Sequence, residues 1–151
     1  PNARFRDRTA FAKDCHRDFG LGTTVWSPLA SGFLTGKYAR GVPEGTRLSL
    51  RGYQWLRKRY EGPGAGDLQK KIGKLARLAS GLKLTLPQVA LAWCLKNRDV
   101  STVITGASRP EQVAENMKAG DAVALLTPDV MEKIEKILGN RPPDEPDFRT
   151  Q

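Results

Sequence analysis

Cysteine is nearly absent from this sequence: Cys15 and Cys94 are the only two in 151 residues. They form neither a disulfide framework nor a metal-ligand spacing, so no metal is expected and a reducing, cytosolic setting fits. His16, the single histidine, reads as an ordinary helix-surface residue. No apolar run reaches the ~18 residues that a membrane-spanning helix needs. No block of five or more like charges appears, and neither does an internal repeat. The start, Pro1-Asn2-Ala3-Arg4, lacks an initiator methionine and a signal-peptide pattern, and reads as if cut from something longer.

What is present supports a globular domain. Hydrophobic residues make up 39% and charged residues 27%, and the length allows one domain with a core. The net charge of +9 suits an anionic partner: nucleic acid, a membrane surface or a phosphorylated small molecule. The plainer account is a soluble enzyme with lysine-rich helices. Nucleic acid is not expected, because neither an aromatic stacking motif nor a helix-turn-helix accompanies the charge.

Along the chain, Phe5, Phe11 and Cys15 fit a helix over 5–19, with Gly20 and Gly22 as its stop. Residues 23–27 read as a short strand and 28–50 as a glycine-rich loop. A short helix is expected over 53–60, closed by "GPGAG" at 62–66. Leu68, Ile72, Leu75, Leu78 and Ala79 form one stripe of an amphipathic helix over 67–80. Thr85 can cap the next helix, whose buried body is "QVALAWCL". Residues 100–106 read as a second strand. Ser108, with Glu111 three residues on, has capping-box spacing before a helix with proline near its start. Thr127-Pro128 opens a last helix through Val130, Ile134, Ile137 and Leu138, ending at Gly139-Asn140. The alternation argues for βα units and a parallel sheet. Two strands alone cannot cover both their faces, so a piece of a larger barrel or sheet is expected.

Each strand runs into a turn of small residues. The first gives Ser27 to Ser31, followed by Lys37 and Arg47; the second gives Gly106-Ala107-Ser108-Arg109 at a helix start. Small residues let backbone N–H groups approach an anion, and a helix N-terminus adds partial positive charge. On the residues alone, other accounts stay open. Ser108 can be just an N-cap, Lys37 and Arg47 solvated loop charges, and Trp26 a core residue of its strand.

A resemblance adds to this. "WSPLASGFLTGKY" (26–38) resembles the loop after the seventh strand of aldo-keto reductases. "ITGASRPEQVAEN" (104–116) is similar to that family's loop and helix after the eighth strand. "RLSLRGYQWL", "LAWCLKN" and "ILGNRP" are most similar to the beta subunits of voltage-gated potassium channels and their relatives.

The resemblance implies the C-terminal portion of a TIM (β/α)8 barrel, about two strands plus helices. Residues 1–142 belong to that domain and 143–151 to an exposed tail. NADP(H) is the implied cofactor. Trp26 takes the position that stacks on the nicotinamide. Ser27, Leu29 and Ser31 line the pyrophosphate, with Pro28 and Ala30 between them. Lys37 and Arg47 reach the extra phosphates, which favours NADP over NAD. Ser108, Arg109 and Gln112 surround the 2′-phosphate, Glu115 and Asn116 touch the adenine, and Gly106 keeps a side chain out of the way. The family's catalytic Asp, Tyr, Lys and His belong to earlier strands, so no catalytic residue is assigned here. The implied partners are NADPH, a carbonyl substrate of the parent protein, and a channel protein or a second copy. The implied location is the cytoplasm, peripheral to a membrane channel in the second case.

Overall fold

The computed structural model describes residue 16 and residues 18–141. The helix expected over 5–19 and the tail from 143 lie almost wholly outside the described residues. Two strands, β1 (Thr23–Val25) and β2 (Val100–Val103), pair in parallel. Thr23 lies opposite Val100, Thr24 opposite Thr102 and Val25 opposite Val103, so Ser101 is the extra residue of an irregular register. Both strands are shorter than expected. The ladder closes with Ile104 N–H donating to the Val25 carbonyl at 2.8 Å. Beyond it Ser27 turns left-handed at φ 55°, which no strand can continue.

The crossover holds three helices: α1 (Gln54–Glu61), α2 (Ala65–Gly81) and α3 (Leu86–Leu95). After β2 come α4 (Pro110–Met117), α5 (Ala119–Ala122) and α6 (Pro128–Leu138). The long loop also contains short 3-10 turns at Ala30–Thr35, Arg47–Ser49 and Arg51–Tyr53.

The centre of the packing is α3. Leu86, Val89, Ala90, Leu91, Ala92 and Cys94 are all buried, so the helix is apolar around its whole circumference rather than on one stripe. Its start is fixed by a full capping box. Gln88 N–H donates to Thr85 Oγ1 at 3.4 Å, and Thr85 N–H donates to Gln88 Oε1 at 3.0 Å. The stripe of α2 buries Ile72, Leu75 and Ala79, with Leu68 and Leu78 partly covered. Ile134 of α6 joins the same core, and Lys71 Nζ donates to the Leu138 carbonyl at 2.9 Å. A cation on the last carbonyls of α6 also suits the helix dipole there. The Thr127 hydroxyl accepts from Val130 N–H, and Gly139 ends α6 in the left-handed conformation at φ 58°. Replacing Thr85 by alanine removes one half of the α3 box. The expected loss is ~1 kcal/mol, read as a lower urea midpoint with an unchanged slope.

Beside that core Phe33, Tyr38 and Tyr60 form an aromatic triad with ring centroids 5.7–5.8 Å apart. The Tyr60 hydroxyl donates to the Tyr38 carbonyl and joins α1 to the long loop. The strands are covered on one face only. Val25 is buried against the helices, whereas Thr23, Thr24, Ser101 and Thr102 are exposed. No single helix among the described residues is long and apolar enough to cross a membrane.

Candidate functional site

Because β1 and β2 are parallel neighbours, the loops that leave them emerge at the same end of the sheet. The first loop begins at Trp26, which is 67% exposed and is not the core residue that its strand position suggested. Ser27, Ala30 and Ser31 then have φ of 55°, 49° and 59°, and Gly32 has φ 95°. Left-handed backbone at a non-glycine residue is costly and is commonly held in place at ligand sites. Lys83 is the one other described non-glycine residue with such a φ, so the strain concentrates in this loop. Short bonds tie the turn together: Ala30 N–H to the Ser27 carbonyl at 2.9 Å and Gly32 N–H to the Leu29 carbonyl at 2.9 Å. Thr35 Oγ1 adds a bond to the Gly32 carbonyl at 2.8 Å.

Lys37 folds back on this turn. A Cβ on Gly32 would lie 2.6 Å from Lys37 Cε and 2.9 Å from its Nζ. The ammonium also sits 5.1 Å from the centroid of the Tyr38 ring. Arg47 is placed differently. Its guanidinium lies 5.5 Å from the Tyr53 ring centroid, beside the next 3-10 turn. Both cations are exposed.

The second loop carries Gly106, Ser108 and Arg109, all exposed. A Cβ at Gly106 would meet nothing within 4 Å among the described residues. The capping box expected between Ser108 and Glu111 does not form. Arg109 is the N-cap of α4, because Pro110 takes the first helical position. The third helical residue is therefore Gln112. Its Oε1 accepts from Ser108 N–H at 2.8 Å and from Ser108 Oγ at 3.2 Å. Ala107, Ser108, Arg109, Pro110, Val113 and Ala114 border an open hollow of about 630 Å³. Further along α4, Glu115 is half-buried and Asn116 is only 5% exposed.

Behind the first loop, Ser27, Pro28, Trp93 and Cys94 border a small apolar cavity of about 50 Å³. Burial pushes the Cys94 thiol up to about 11, so it is neither a ready nucleophile nor a thiolate ligand. Among the described residues no group of three His, Cys, Asp or Glu is placed to hold a metal ion. Sequence reasoning missed Gly32 and Tyr38 as parts of the loop's architecture. The one signal available was a glycine amid small residues five positions before the lysine.

The fold and the loops together define a βα-type domain whose two strand-end loops leave one end of the sheet, the first with left-handed backbone at Ser27, Ala30, Ser31 and Gly32. Residues 4–139 match the profile of the aldo/keto reductase family, and the chain belongs to that family. It is 46% identical over 132 residues to a probable voltage-gated potassium channel subunit beta of Oryza sativa subsp. japonica. It is 43% identical over 148 residues to a probable voltage-gated potassium channel subunit beta of Arabidopsis thaliana. These matches cover 87% and 97% of this chain but 39% and 44% of the relatives, so the chain spans about two fifths of their length.

Proposed function

We propose that this chain is the NADP(H)-binding, C-terminal portion of an aldo-keto reductase-type oxidoreductase, the last strands and helices of a (β/α)8 barrel spanning residues 1–142. The observation that carries the reading is the turn with left-handed backbone at Ser27, Ala30, Ser31 and Gly32 and with Lys37 folded onto it, beside a second strand-end loop. The residues present fit such a cofactor. Trp26 offers an exposed indole face for the nicotinamide. Ser27 to Ser31 offer hydroxyls and a turned backbone for the pyrophosphate. Lys37, Arg47 and Arg109 converge on the 2′-phosphate side, where Ser108 and Gln112 add polar contacts. Glu115 and Asn116 are assigned toward the adenine, Asn116 from a buried position. Bound there, the cofactor supplies the hydride for carbonyl reduction; the residues above bind and orient it.

The test is cofactor preference, measured in a barrel completed by placing a related N-terminal half ahead of Pro1. Lys37→Met or Arg47→Leu should weaken NADPH binding about 10- to 100-fold, the usual loss of a charge-assisted phosphate contact. NADH binding should stay nearly unchanged. Equal losses for both cofactors by fluorescence titration would refute the assignment.

The names of both relatives favour a second reading, a regulatory beta subunit of a voltage-gated potassium channel; that reading would place the protein in the cytoplasm beside the membrane. Co-purification of the completed protein with a channel would support it, and carbonyl turnover without any such partner would favour the first.

A further inference from the structure

We infer that Gly32 and Tyr38 are positioning residues that clamp the Lys37 ammonium over the 27–31 loop, an inference that rests on the NADP(H) reading above. An exposed lysine normally samples many rotamers, and ordering it on ligand binding weakens the contact it makes. Here two surfaces hold it. One is the notch at Gly32, where any Cβ would fall 2.6 Å from Lys37 Cε. The backbone there, at φ 95°, also disfavours every residue but glycine. The other is the face of Tyr38, 5.1 Å from Nζ to the ring centroid, a cation–π distance.

Tyr38 is itself immobilised. It is 2% exposed, set edge-on to Phe33, packed against Tyr60, and its carbonyl accepts from the Tyr60 hydroxyl. Its own hydroxyl is buried and has no hydrogen-bond partner among the described residues. The aromatic face therefore does the holding and the hydroxyl adds nothing to it, which makes Tyr38→Phe a conservative control. A lysine held in this way meets the 2′-phosphate side of the cofactor without first being ordered, so preorganisation adds to affinity for NADPH and not for NADH.

Two readouts test the clamp in the completed barrel. The first needs no cofactor. In isotope-labelled protein the Lys37 ε-methylene protons should resonate upfield of the other lysines, through the ring current of Tyr38. The shift should persist in Tyr38→Phe and vanish in Tyr38→Leu. The second is selectivity. The NADPH-to-NADH affinity ratio should fall roughly 3- to 30-fold in Tyr38→Leu, the range for losing a cation–π contact. It should fall likewise in Gly32→Ala and hold in Tyr38→Phe, with NADH binding retained throughout. A Lys37 resonance among the other lysines, or wild-type selectivity in the leucine variant, would overturn the inference. If Tyr38→Leu does not fold, Gly32→Ala in the surface loop decides the matter by the same two readouts. Should the unmutated barrel show no preference for NADPH, the cofactor reading fails. The clamp is then judged on the resonance alone, upfield supporting it and unshifted overturning it.

Discussion

The 151-residue chain on its own should show no measurable NADPH-dependent reduction of an aldehyde such as 4-nitrobenzaldehyde. The reason lies in the acids it has available. Reducing a carbonyl by hydride transfer needs a proton donor at the carbonyl oxygen, beside the nicotinamide. The described tyrosines cannot serve. Tyr38 and Tyr60 are buried in the aromatic triad, and the Tyr60 hydroxyl is committed to a carbonyl. Tyr53 lies under the Arg47 guanidinium. His16 is engaged through Nδ1 with the Leu21 carbonyl, and Cys94 is buried with its thiol firmly protonated. Losing a general acid alone typically removes ~10²–10⁴-fold in rate. A ring that lacks its other contacts would also be poorly oriented, which deepens the deficit. Placing a related N-terminal half ahead of Pro1 should restore turnover, measured as loss of NADPH absorbance. Robust turnover by the 151-residue chain itself, surviving repurification, would mean that the acid lies within this chain and that placing the catalytic residues on earlier strands is wrong.

The helices were the most legible part of this chain, because their signals are local. The α2 stripe, the Thr85 box and the Thr127–Gly139 bounds each depend on side chains within a turn or two of one another. Strand ends were less legible, since a ladder stops where its partner's backbone turns, and the partner is some 75 residues away, as in the Thr23–Asp99 bond. The cap of α4 was misplaced for a specific reason. Serine with glutamate three residues on satisfies the box pattern, but proline at the first helical position makes its predecessor, Arg109, the cap. Helix α5, four residues long, has no room for a periodic signal. In the candidate site, serine and alanine gave no hint of left-handed backbone, because neither residue type prefers it. The pairing of both loops at one sheet end followed from the parallel arrangement, whereas Arg47 lying over Tyr53 could only be seen in the fold.

Amide exchange in the isolated chain should divide sharply between α3 and the strands. The amides of Ala90–Ala92 lie in a helix buried on all sides, fixed by a capping box and packed against α2, α5 and β2. They open only when the core unfolds. The strands share a single ladder, so each has an outer edge with no strand beside it among the described residues. Their uncovered face exposes Thr24 and Thr102, and the large side chains of Trp26 and Ile104 are 67% and 53% exposed just beyond. A two-stranded ladder with one covered face is marginal in water, so it should open locally at little cost. Local and global opening commonly differ by several kcal/mol, which places strand exchange on the order of 10³-fold faster than exchange in α3. The same bare edges favour association between copies, so the measurement belongs at low protein concentration. Supplying an N-terminal half should slow exchange at Thr23–Val25 and Val100–Val103 selectively, because new strands would pair both edges and cover the open face. Equal protection of strands and α3 in the isolated monomer would show that this chain closes its sheet without further strands, and the barrel-portion reading would have to be abandoned.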